Sequence, residues 1–269
     1  MSDYTRTDLA VEAAGFISDY KTEDYRHHRS RENNVFRDTV EILSDRGAKA
    51  LAREMGTYVT FSFTRDDIPA LHKEIAQSLR NLIGEKRRIL TVGLGNRDIT
   101  ADAIGPITVG KLTVNGHLDT ETTKHFAISP DVLGKTGIES YVLIKAAVIS
   151  AKADAVIAVD ALAARDAARL YHTVQIGTSG IIPGSGVGNH RHALTEATLG
   201  VPVIAIGVPT IVSSATLLYN TLEKANLLEY QDALKQALLE IEPFFVTPPD
   251  ADIDTELLAD AIAKAIDSL

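Results

Sequence analysis

Three carboxylates stand where a chain could do chemistry. Asp98 and Asp102 lie in GLGNRDITADAIGP, residues 93–106, directly after the apolar run RRILTV. Asp160 interrupts a second apolar run, AVIAVDALAAR, residues 155–165. A charge directly after buried β-branched residues is costly unless it is at an edge, paired or functional. Two carboxylates held close cannot both ionise easily, so their titrations couple. One can then activate water while the other protonates a leaving group, which suits hydrolysis. Each aspartate also has a plain structural role open to it. Asp102 can cap the helix that TADAIG opens, and Asp160 can cap one at ALAARDAARL.

Glycine-rich turns supply the other half of such a site. Gly93, Gly95 and Asn96 follow one strand, and Gly184, Ser185, Gly186 and Asn189 form a second turn in IIPGSGVGNHRH. Their backbone N–H groups could steady an oxyanion. A dinucleotide fingerprint is disfavoured, because the third glycine position is the anionic Asp98, and no phosphate-loop motif occurs. Ser185 lacks a nucleophile elbow, since Pro183 fills its first position. His190 and His192 beyond it can be bases, ligands or solvated loop residues. There is no cysteine, which removes thiolate nucleophiles, thiolate metal sites and disulfides.

The elements that must position these groups can be read from periodicity. VFRDTVEIL, YVTFSF, RRILTVGL, HFAIS, AVIAVDAL, TVQIG and PVIAIGVP read as strands. Ile68, Leu71, Ile75, Leu79 and Leu82 mark one face of a helix. Leu258, Ile262, Ile266 and Leu269 mark another at the C-terminus, and SDRGAKALAREMG, 102–114 and TGIESYVLIKAAVISAKA also read as helical. Apolar strands separated by helices predict a doubly wound α/β fold, a mostly parallel sheet with helices on both faces. Ligands in such folds gather at the carboxyl ends of the strands, where all three motifs lie. Residues 17–34 are polar and read as a mobile loop, with His27 and His28 in it. The chain of 269 residues suits a single domain. A net charge of −9 argues against nucleic acid as a partner. No run is long enough to span a membrane and the start does not read as a secretory signal, so the expected location is cytoplasmic.

Several motifs together resemble the germination protease family, peptidases that degrade small acid-soluble spore proteins when spores germinate. They are GLGNRDITADAIGP, SPDVLGKTGIES, AVIAVDALAAR, GIIPGSGVGN and TLGVPVIAIGVPT, with RTDLAVEA near the start and FFVTPPDADIDTELLADAIAKAI near the end. The resemblance implies an α/β core related to the hydrogenase-maturation proteases, a homotetramer, and synthesis as a zymogen that acts in the forespore or spore core. It puts the family's proposed catalytic carboxylates on Asp102 and Asp160. It also implies a propeptide of residues 1–8, cut between Asp8 and Leu9, ahead of a protease domain of residues 9–269. No cofactor is expected. The alternative is a metal held by Asp102, Asp160 and His117, or with His190 in place of His117, since the related proteases hold one in this fold. A non-catalytic relative is a further alternative. IGTSG at 176–180 lacks an acid that the family commonly has before the glycine loop. The stretch between LEKANLLEY and VTPPD is shorter than in many relatives.

Overall fold

The computed structural model describes residues 7–14, 23–32, 34–119, 123–183, 192–242 and 244–269. Helix α1 (Ala10–Ala14) precedes a hairpin of β1 (Tyr25–Glu32) and β2 (Val35–Ile42), then α2 (Asp45–Leu51), β3 (Gly56–Ser62) and α3 (Ile68–Ile83). Next come β4 (Arg88–Gly93), α4 (Ile104–Lys111), β5 (Lys124–Ile128), α5 (Leu133–Thr136), α6 (Ser140–Ala151) and β6 (Ala155–Ala163). The remainder is β7 (Thr173–Gly177), α7 (Glu196–Leu199), β8 (Val203–Ser213), α8 (Ser214–Lys224), α9 (Gln231–Leu238), β9 (Phe245–Val246) and α10 (Ala251–Asp267).

One sheet runs in the order β1-β2-β3-β7-β8-β6-β4-β5, with β9 added at the end of β8. The α/β architecture is as expected, with the strand types of the sequence reading. The direction of the strands is more mixed. Pairs β8–β6, β6–β4 and β4–β5 are parallel, whereas β1–β2, β2–β3, β3–β7 and β7–β8 are antiparallel. A continuous apolar run such as TVQIG reports burial on both faces, and such burial is compatible with either direction.

Period-two alternation splits the core between the faces. Ile89, Ile157 and Val159 pack with Leu71, Ile75 and Leu79 of α3 and Leu258, Ile262 and Ile266 of α10. Leu90, Val92, Val156 and Ala158 point the other way, onto Ile144 and Val148 of α6. A 3₁₀ turn, Arg65–Asp67, leads into α3; Asp67 Oδ2 accepts from the Thr64 N–H at 3.0 Å to close that turn, and Pro69 suits the first turn of the helix. No helix among the described residues is long and apolar enough to cross a membrane.

Within the expected loop at 17–34, residues 25–32 form strand β1; 17–22 and 33 lie outside the described residues. The strand is at the sheet edge and exposed on both faces, so no apolar alternation marks it. Its anchor is Asp38 on β2, which is fully buried. Asp38 accepts hydrogen bonds from Arg29 at 2.8 and 2.9 Å and pairs with His27 at 2.7 Å. Burial pushes the Asp38 carboxyl up, but Arg29 and His27 outweigh it and hold the group below its ordinary value. A carboxyl lowered on folding adds stability above its unfolded pKa, about 3.9, and loses it as pH falls through the lower folded value. Asp38→Asn is therefore expected to cost about 1–3 kcal/mol at neutral pH. Urea unfolding of both proteins should show that difference shrinking below about pH 4.

Candidate active site

Strand β4 delivers the chain to the carboxyl rim of the parallel half-sheet, and the segment from Gly93 to Gly105 forms a tight turn there. The N–H of Leu94 donates to the carbonyl of Val159 at 2.8 Å, which locks the end of β4 to β6. Gly95 has φ +108°, and a methyl group there would meet the carbonyl oxygen of Asp102 at 2.0 Å. The backbone thus folds back on itself, and the Asn96 N–H donates to Oδ2 of Asp102 at 2.8 Å. That N–H is already engaged by the carboxylate. The bond ties the Asp102 carboxylate to the turn.

Asp102 ends a single 3₁₀ turn, Thr100–Asp102, and α4 begins two residues later. Ala103 occupies the cap position of α4, so Asp102 is not its N-cap. Gly105 then presses against the sheet. A methyl group on it would lie 2.3 Å from the carbonyl of Leu94 and 2.5 Å from that of Val159. From β8, the buried Thr210 hydroxyl donates to the carbonyl of Ala101 at 2.6 Å. The turn carrying Asp102 is therefore pinned to β4, β6 and β8 together.

Asp160 follows Val159 within β6, in register with Gly207 of β8, and is 6% exposed. Its Oδ1 accepts from the N–H of Ala161 at 2.9 Å. The strand continues past it to Ala163. Capping of the next turn falls to Asp166, which accepts from the N–H of Ala168. Neither aspartate is therefore a helix cap. Two adjacent parallel strands instead set both at one rim of the sheet, beside a turn whose backbone is fixed.

Other polar groups gather on this rim. Lys135 bonds Asp98 at 2.6 Å and lies 3.4 Å from Asp131. The Lys135 hydrogen bond and charge lower the Asp98 carboxyl, and the same bond raises the lysine. His192 bonds Glu139, just before α6, and stacks on Tyr141 at 5.2 Å. Gly184, Ser185, Gly186, Asn189 and His190 lie outside the described residues.

His117 does not join the aspartates. Helix α4 carries the chain about 12 Å away from the rim at 1.5 Å per residue. The exposed loop after it meets the start of β5, where Asn115 Oδ1 accepts from the N–H of His125. That is the opposite rim of the sheet. Among the described residues no three His, Asp or Glu side chains are grouped to hold a metal. The proposed ligand set of Asp102, Asp160 and His117 is thus not assembled, because spacing in sequence says nothing about which end of a strand a loop returns to.

The N-terminal segment is docked beside this site. The N–H of Asp8 donates to the carbonyl of Ala163 at 2.9 Å, and Oδ2 of Asp8 accepts from the N–H of Ala163 at 2.9 Å. Gln175 of β7 accepts from the N–H of Ala10 at 2.7 Å and donates to the carbonyl of Asp8 at 3.1 Å. Buried Glu12 accepts from the N–H groups of Arg165 and Asp166, both at 2.9 Å. Leu9 is fully buried in the core. Gln175 and Glu12 were not singled out from the sequence. The one available signal was a glutamine inside the otherwise apolar TVQIG.

A germination protease family model matches residues 10–230. The germination protease of Clostridium acetobutylicum is 36% identical over 97% of this chain and 93% of its own length. That of Clostridium perfringens is 43% identical over 79% of this chain and 71% of its own. That of Caldanaerobacter subterraneus is 40% identical over 81% and 72%. A [NiFe] hydrogenase maturation protease from Thermococcus kodakarensis aligns with 70% of this chain and 98% of its own at 17% identity. Its TM-score of 0.41 is too low to carry an argument. The family match and the identities over most of the chain have one consequence: this chain belongs to the germination protease family and is a peptidase.

Proposed function

We propose that the chain is an endopeptidase that degrades small acid-soluble spore proteins during germination, with Asp102 and Asp160 as its acid–base pair. The observation that carries this reading is the placement of both carboxylates at one rim, each freed from a capping role. One carboxylate takes a proton from water as it attacks the peptide carbonyl. The other gives a proton to the departing amine. The Asn96 N–H bond to Oδ2 holds the orientation of the Asp102 carboxylate. The reaction needs no step through a metal. The test is hydrolysis of a purified acid-soluble spore protein, with products identified by mass spectrometry, with and without chelator. Intact substrate would sink the proposal. Activity lost on chelation and restored by one ion would replace the acid–base pair by a metal.

The family's zymogen behaviour is proposed for this chain too, with the cut between Asp8 and Leu9. The bond is folded onto β6 and β7, so the segment must first leave Ala163 and Gln175. Its docking supports control by release rather than random trimming of a frayed end. At mildly acidic pH the wild type should acquire Leu9 as its new N-terminus, and Asp160→Asn should stay whole. Gln175→Ala removes two of the clamping hydrogen bonds, each worth about 1 kcal/mol, and should speed the cut severalfold. Equal trimming in Asp160→Asn would show a contaminating protease at work.

A homotetramer in the spore core is the assembly and location proposed with this activity. Leu227, Tyr230, Leu239, Ile241 and Phe244 expose apolar surface that self-association would cover. Light scattering on the purified protein gives the subunit number directly.

A further inference from the structure

Strand β1 carries Arg26, His27, His28, Arg29 and Arg31 in eight residues, within a chain of net charge −9. Alternation divides them. On one face, His27 and Arg29 serve the buried Asp38, and Arg31 bonds Asn34 at 3.0 Å and lies over Phe36 at 4.8 Å. That face is explained by the fold. The other face is not. Arg26, His28 and Ser30 stand opposite Glu41, Thr39 and Arg37 of β2, and these six line an open groove of about 360 Å³. Arg26 lies 3.9 Å from Glu41, beyond hydrogen-bond reach, and the two arginines leave the groove with a net positive charge.

We propose that this groove and the edge of β1, the outermost strand among the described residues, bind an acidic, extended segment of a polypeptide, as an added strand. An added strand takes its affinity from main-chain hydrogen bonds to the edge and its selectivity from alternate side chains. Carboxylates two residues apart on such a strand would face Arg26 and His28 on the groove side. Arginine binds carboxylate through two parallel N–H donors, which favours this partner over a simple counter-ion. Charges on an edge strand also guard against edge-to-edge pairing. Guarding works with either sign, however, and here one sign dominates on an otherwise acidic molecule.

The position gives the groove a use if Asp102 and Asp160 cut as proposed. Five strand steps of about 4.8 Å separate β1 from β6, roughly 24 Å. An extended chain covers that in about seven residues. The hairpin would hold a substrate at a distance from the bond cut at Asp102 and Asp160.

The test measures binding apart from cleavage. A labelled peptide alternating Glu and Val is titrated by fluorescence anisotropy into the full chain at low ionic strength. Arg26→Ala/Arg37→Ala should weaken binding at least about tenfold, the loss of two charge-assisted contacts. Lys73→Ala/Lys264→Ala, which removes the same charge elsewhere, should leave it unchanged. Cleavage of a short peptide should be unaffected by the groove variant, while a longer substrate with an acidic tail should show a raised KM. Equal binding by wild type and groove variant overturns the proposal. So does tighter binding of oligothymidylate than of the acidic peptide, or a change in assembly mass caused by the groove variant. Loss of all cleavage in the wild type would refute cutting at Asp102 and Asp160 and leave the binding result standing.

Discussion

Asp102→Asn and Asp160→Asn are each expected to lower kcat for peptide hydrolysis by at least a hundredfold, with the fold intact. Positioned general acids and bases contribute about 10²–10⁴ in rate. A hundredfold loss corresponds to about 2.7 kcal/mol of transition-state stabilisation. Asparagine keeps the shape of aspartate and an oxygen acceptor. At position 102 it can still accept from the Asn96 N–H, and at 160 from the Ala161 N–H. What it cannot do is exchange a proton. Circular dichroism and the thermal midpoint should match wild type, which separates chemistry from misfolding. A variant retaining more than a tenth of wild-type kcat would remove that aspartate from the acid–base pair. The two losses should also be strongly non-additive, because the groups act on one reaction step.

Gly105→Ala is expected to be among the most damaging single substitutions outside the aspartates, and Gly110→Ala, five residues along the same helix, to be harmless. The added methyl at 105 meets two backbone carbonyl oxygens, at 2.3 and 2.5 Å. Backbone cannot swing aside as a flexible side chain does, so α4 must lift off the ends of β4 and β6. Overpacking of that kind costs about 3 kcal/mol. Asp102 sits three residues upstream, so the shift should also reduce kcat tenfold or more. At Gly110 the nearest atom to an added methyl is the Arg97 guanidinium at 3.7 Å, an ordinary contact. Alanine there should stabilise the helix by about 0.5–1 kcal/mol. Denaturant midpoints and kcat for both variants check the pair. A Gly105→Ala protein as stable and active as wild type would mean that α4 does not seat against the sheet as described.

The sequence by itself determined much of this protein. Leu71, Ile75 and Leu79 repeat at helical spacing, and that spacing alone assigns α3 and its buried face. AVIAV and VIAIG are short, β-branched apolar runs without alternation, which fits a strand covered on both sides. Asp160 stood out as a charge directly after such a run, costly unless it is at an edge, paired or functional. These are local properties, written in neighbouring residues. Non-local ones were decided by tertiary structure. Strand direction in the β1–β2–β3–β7 half depends on which edge each strand returns to, and TVQIG reads the same either way. Strand β1 has no apolar face, because it is held by one buried carboxylate on its neighbour, Asp38. His117 was close to Asp102 in sequence, but a helix takes it to the far rim. Glu12 and Gln175 hold the N-terminal segment through backbone groups more than 150 residues away, at separations |i−j| of 153 and 165. A hydrogen bond across such a separation leaves no periodic trace in the chain, so only folding brings its two ends into view.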